Sequence, residues 1–265
     1  MGGGRMTVVF DTYVPGSSLL HRLDPRTKLW IALLACVTVF LLPATEYVAA
    51  LLIAVHLILI ASRVPWPSLA GVWRQMAVLS LLILVMQTFT QPGGTTLLSL
   101  GPLHATSGGL ERGLELALRA LSLAFITSGL LFTTQHPHLV QGLVALGLPY
   151  SWGLTISLAL RFLPAIQHLF HAVRDAQASR GWTPHGSIFR QLKSYIPVLV
   201  AVLIGTLRLS DQLTLALAAR GFMPGRKRSR WRELHLRAWD WILGIACTLG
   251  FLAVAWLNIV DHNMP

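Results

Sequence analysis

Ala176-Gln177-Ala178-Ser179-Arg180-Gly181-Trp182-Thr183-Pro184 and Ala216-Leu217-Ala218-Ala219-Arg220-Gly221-Phe222-Met223-Pro224 carry one pattern, A-x-A-[S/A]-R-G-aromatic-x-P, 40 residues apart. Each copy closes a long segment of helical character, and it does so by the same chemistry. Small residues keep the last turn slim, and Arg sits where the carbonyl end of the helix dipole favours a cation. Gly takes the left-handed cap position, and Pro forbids continuation. One such stretch is only a good helix stop. Two copies with matching flanks give two helices that each present one arginine at the tip, so the pair is read as the functional centre.

The surrounding composition sets the medium. The chain has 265 residues, 54% of them hydrophobic and only 12% charged, with a mean hydropathy of +0.62. That is too apolar for an ordinary soluble domain and indicates an integral membrane protein. A net charge of +11 would suit a nucleic-acid partner. However, 13 of the 21 Lys and Arg lie between Arg161 and Arg237, beside apolar helices rather than on a separable basic domain. Such placement suits the cytoplasmic face of a bilayer, so no nucleic acid is expected. Cys36 and Cys247 both sit inside apolar runs, which gives no disulfide framework.

Residues 1–27 read as a cytoplasmic tail, with Asp24 as N-cap and Pro25 at the first position of a helix that starts there. Residues 28–135 read as a four-helix transmembrane domain. Its spans run from about Leu29 to Leu42, Tyr47 to Ala61, Gln75 to Phe89 and Glu111 to Thr134, and residues 90–110 hold no Lys or Arg and fall outside. In the fourth span, Glu115 and Arg119 are four apart, the spacing of a paired couple on one helix face.

Residues 136–237 read as a cytoplasmic or inner-leaflet domain of long amphipathic helices. Only nine largely apolar residues precede Arg161, and eleven precede Arg208. Eleven residues reach roughly 16 Å, about half of a hydrocarbon core of ~30 Å. A plain hydropathy count would instead add one or two spans here. The basic run Gly225-Arg226-Lys227-Arg228-Ser229-Arg230-Trp231-Arg232 reads as a solvated cytoplasmic anchor. Residues 238–265 supply a final span, about Trp239 to Ile259. The expected fold is therefore all-α, with about five transmembrane helices plus the amphipathic domain.

Chemistry is sparse. His56 stands alone in the second span, where a hydrogen-bonded structural histidine is the commoner reading. His168, His171 and Asp175 share one helical face at i, i+3 and i+7, a spacing that could supply metal ligands, but no second cluster completes a site. No Walker loop, G-x-S-x-G or H-E-x-x-H motif occurs. The chain is expected to be no enzyme and to use no cofactor or metal. An arginine fork held at a rigid helix end is suited to a carboxylate on another protein, which describes a coupling element.

The tail Pro15-Gly16-Ser17-x-Leu19-x-His21-Arg22-Leu23-Asp24-Pro25-Arg26-Thr27-Lys28, the four spans, and two helices ending in Ser179-Arg180-Gly181 and Ala219-Arg220-Gly221 resemble the transmembrane T component of energy-coupling-factor (ECF) transporters. The resemblance covers nearly the whole chain. It implies that Arg180 and Arg220 end two crossed coupling helices docked on two cytoplasmic ABC ATPase subunits. It also implies that the apolar faces of these helices hold a small membrane S component carrying a vitamin or a metal ion such as cobalt. The setting would be a bacterial plasma membrane, with the N-terminus and coupling domain cytoplasmic. The runner-up is a stand-alone secondary transporter, which needs broken helices and polar groups in related halves.

One stripe bears on the S component. Val198, Val202, Leu209 and Leu213 recur near helical spacing with the small residues Ala201 and Gly205 interleaved. Small residues let another helix come close. The stripe either faces the S component or packs on the preceding coupling helix.

Overall fold

The computed structural model describes residues 13–16, 18–91, 93–100, 103–182, 187–222 and 238–263. Among these residues run ten helices: α1 (Leu19–Arg22), α2 (Pro25–Leu41), α3 (Thr45–Ala61), α4 (Trp66–Thr90), α5 (Ser107–Thr133), α6 (His136–Ala145), α7 (Tyr150–Ser179), α8 (Ile188–Ser194), α9 (Ile196–Ala219) and α10 (Ala238–Asn263). One antiparallel hairpin, β1 (Thr96–Leu100) with β2 (Leu103–Thr106), joins α4 to α5 where the sequence suggested only a loop. The chain divides into two units, Met1–Pro149 with Leu234–Pro265, and Tyr150–Glu233. The basic run 225–232 lies outside the described residues.

In the first unit α5 is the central helix and packs against α2, α3 and α4. Its start is fixed locally, because the Thr106 hydroxyl accepts the Gly109 N–H at 3.1 Å. Gly109 and Gly113 then let α4 approach closely. A Cβ on Gly109 would stand 2.6 Å from the Gln87 carbonyl oxygen, and one on Gly113 would stand 3.1 Å from that of Leu84. Small residues four apart serve this purpose in membrane helix pairs. Deeper in, Phe125 is fully buried among Leu52 and Leu59 of α3, Leu69 and Val72 of α4, and Leu121 of α5 itself. The outward faces are apolar too, with Leu33, Phe40, Ile53, Leu57, Val78 and Leu81 all exposed. That inversion is what a lipid solvent requires.

The tail is tied down by polar contacts. Asp24 caps α2 by accepting the Arg26 N–H at 2.9 Å, and its own N–H donates to Asp240 Oδ1 of α10 at 2.8 Å. Buried Lys28 donates through Nζ to the Thr133 carbonyl at 3.0 Å and to Thr134 Oγ1 at 3.1 Å. The starts of the first and last long helices of the unit are thus bonded to each other and to the end of α5. The sequence placed α6 with the coupling helices. It belongs instead on α2, where a Cβ at Gly142 would meet Leu29 Cδ1 at 3.0 Å and Pro25 Cβ at 3.2 Å.

The second unit consists of α7, α8 and α9, with α7 packed along α9. Here the sequence expectation on length needs correction. α7 is one continuous helix of 30 residues through Arg161 and Pro164, and α9 runs 24 residues through Arg208. Tyr150–Ser179 and Gln191–Ala219 are each long and apolar enough to cross a membrane, as are Trp66–Thr90, Ser107–Thr133 and Ala238–Trp256. Five helices meet that standard among the described residues, the number expected, but two of them are the helices that end at Arg180 and Arg220. A count of apolar residues stops at a single arginine, whereas a helix does not. A long side chain can also carry its charge away from an apolar surface while its stem stays in it.

Candidate coupling site

Both arginines occupy the same backbone position. Gln177 is the third-last helical residue of α7, and its carbonyl accepts the Trp182 N–H at 3.0 Å while Ala178 accepts the Gly181 N–H at 3.0 Å. In α9 the Leu217 carbonyl accepts the Phe222 N–H at 2.9 Å and Ala218 accepts the Gly221 N–H at 2.9 Å. These paired bonds form a Schellman end in each helix, with the arginine as C-cap, glycine at the next position and the aromatic after it. Gly181 has φ +84° and Gly221 φ +73°. A side chain there would be strained by about 1–2 kcal/mol, which is why glycine recurs.

The side chains follow from the caps. Ser179, Arg180, Gly181, Ala219, Arg220 and Gly221 are all exposed. Neither the Arg180 nor the Arg220 guanidinium has a hydrogen-bond or ion-pair partner among the described residues. Each is a planar donor fork at the carbonyl end of a helix, suited to a carboxylate from another chain. Sequence reasoning missed the brace behind the first cap. The Trp182 indole N–H donates to the Ser194 carbonyl at 2.8 Å, and its ring stands edge-on to Tyr195 with centroids 4.9 Å apart. The signal was present, since an aromatic fills this position in both copies.

The stripe on α9 resolves differently from a docking surface. Val198 is fully buried, and Ala201, Val202, Gly205, Leu209 and Leu213 are all partly covered. A Cβ on Gly205 would stand 2.7 Å from Leu169 Cδ2 of α7. Of the two alternatives for this stripe, the contact at Gly205 supports packing on the preceding coupling helix, α7. Leu199, Leu203, Ile204 and Leu207 lie on the opposite, exposed face, Leu203 at 60% exposure.

The other candidates fall into structural roles. Asp175 is paired with Arg174 at 3.0 Å, and no group of three His, Cys, Asp or Glu among the described residues is arranged to hold a metal, His168, His171 and Asp175 included. His56 donates from Nδ1 to the Leu52 carbonyl at 2.9 Å, accepts the Trp73 indole N–H at 3.1 Å, and stacks near Phe125. Glu115 pairs with Arg119, as its spacing indicated, and also with Arg112 at 2.8 Å; Arg119 further donates to the Leu42 carbonyl at 3.0 Å.

Long apolar helices with apolar side chains on their outward faces define a multi-pass membrane protein. The profile of the family described as "Cobalt transport protein", CbiQ, matches residues 16–231. The energy-coupling factor transporter transmembrane protein EcfT of Heliobacterium modesticaldum is 31% identical over 256 residues, which are 93% of this chain and 96% of that protein. EcfT of Listeria innocua is 31% identical over 261 residues, 95% and 98% of the two chains. A putative ABC transporter ATP-binding protein of Bifidobacterium longum is 32% identical over 251 residues, 91% of this chain but only 32% of its own length. The chain belongs to the CbiQ/EcfT family and is a transmembrane T component of the ECF type.

Proposed function

We propose that this T component couples two cytoplasmic ABC ATPase subunits to a membrane S component, so that ATP-driven movement powers uptake of a vitamin or a metal ion. The chain itself is then non-catalytic. The observation that carries the reading is the twin cap, which fixes one arginine, unpartnered among the described residues, at the end of each of two helices packed along each other. Arg180 and Arg220 each insert into a groove on a separate ATPase. The Bifidobacterium protein lends support, since a chain named for ATP binding contains a stretch similar to nearly all of this one. The N-terminus and the arginine caps lie on the cytoplasmic side, and the exposed Leu199, Leu203, Ile204 and Leu207 face offers the S component an apolar surface from which it can leave.

Truncating one partner of a buried charge pair costs roughly 2–5 kcal/mol. Arg180→Ala and Arg220→Ala therefore each weaken recovery of the ATPases in a pull-down, and the double variant abolishes ATP-dependent uptake. A double variant that assembled and transported at the wild-type rate would refute the proposal.

A further inference from the structure

Between α2, α6 and α10 lies a cavity of about 450 Å³, within the size range of small-molecule pockets, roughly 300–1,000 Å³. Arg26 stands at its rim. Trp30, Trp241, Gly244, Ile245 and Leu249 form an apolar trough below. The Trp30 indole N–H donates to Thr248 Oγ1 at 3.2 Å, which holds one wall in place. Gly244 supplies depth, since a Cβ there would meet only Thr27 Cγ2, at 3.7 Å.

The Arg26 guanidinium has no ion-pair partner among the described residues. The Asp24 carboxylate takes the Arg26 backbone N–H rather than its guanidinium. Asp240, which also lines the cavity, takes the Asp24 N–H and interacts electrostatically with Lys28. Arg26 Nε is buried and donates to nothing among the described residues. The Asp24 to Asp240 bond also sets the starts of α2 and α10 side by side, each with a carboxylate of its own at the positive end of the helix dipole. Tryptophans mark the membrane–water boundary, the level of lipid phosphates, and basic pockets between membrane helices take phospholipid head groups.

We infer that this cavity holds one phospholipid, its phosphodiester on the Arg26 guanidinium and one acyl chain along Trp30, Gly244, Ile245 and Leu249. A cation beside an apolar trough fits an anion with a chain attached. It fits neither a free anion, which would leave the trough unused, nor an apolar segment, which would leave the cation unmatched.

The test uses the full-length chain purified in detergent, with palmitoyl-oleoyl-phosphatidylglycerol as the probe in native mass spectrometry. The wild type retains one lipid at low probe concentration. Arg26→Gln, and separately Gly244→Phe, each weaken retention on the order of tenfold, the factor that one charge-assisted hydrogen bond or a filled trough carries. Arg26→Lys keeps most of it. Glycerol 3-phosphate, which has the anion without the chain, competes poorly. Should Arg26→Gln retain the lipid as the wild type does, or glycerol 3-phosphate compete as well as the lipid, the assignment is overturned. A second measurement needs no variant: a phosphatidylglycerol carrying a photoreactive diazirine in its acyl chain labels α10 between Gly244 and Leu249, and saturable labelling confined to other helices overturns the site.

Discussion

A guanidinium on a flexible stem is a poor lever unless the backbone beneath it is fixed, and at Arg180 and Arg220 the fixing is done by the next residue. Gly181 and Gly221 hold left-handed angles that leave each arginine as the last cap of its helix. Replacing either by Val keeps the arginine but strains the cap by about 1–2 kcal/mol, so ATPase recovery in a pull-down falls several-fold with every charge intact. Asn tolerates the left-handed region and loses less than Val. Equal losses for Asn and Val would mean that the cap geometry plays no part. The caps were legible in the sequence because a helix end is decided by neighbours in the chain: small residues, Arg, Gly and an aromatic in order. The pairing of Lys28 with Thr133 and Thr134 was not, since its partners lie more than a hundred residues away and nothing local marks them.

At the level of the helix, Gly205 and Leu203 make opposite claims on α9. Gly205 sits in the seam against Leu169, and a larger side chain must push α7 away; overpacking of this kind costs typically 1–3 kcal/mol. Gly205→Leu therefore disturbs both arginine tips and lowers ATPase recovery along with stability in detergent. Leu203→Asn, on the exposed face, leaves the unit folded and the ATPases bound while S-component yield in the same pull-down drops. If Gly205→Leu selectively lost the S component, the seam and the docking face would have to be exchanged. Periodicity in the sequence marked this helix as two-faced, but 3.6-residue spacing cannot say which neighbour covers a stripe. Gly109 and Gly113 illustrate the converse: small residues four apart permit a close crossing, yet only the position of α4 shows that one is made there.

For the molecule as a whole the bilayer is the governing partner. Composition decided membrane against water without difficulty, because apolar outward faces such as that of Val78 have no other medium. Composition did not decide which long helices cross, since one arginine in an apolar run stops a count but not a helix. A cysteine at Ser187, which is exposed, reports the side directly when Cys36 and Cys247 are replaced by Ala. It reacts with a membrane-impermeant thiol reagent only after cells are opened, and labelling in intact cells would place the arginine caps outside.

The bond from the Trp182 indole to the Ser194 carbonyl joins the tip of α7 to the last residue of α8, two residues before α9 begins. A load applied to Arg180 is then delivered to the foot of the helix that ends in Arg220. Phenylalanine occupies the matching place after Arg220 and carries no indole N–H. With Arg180 and Arg220 docked on two partners as proposed, a pull on the first tip would therefore reach the helix that carries the second.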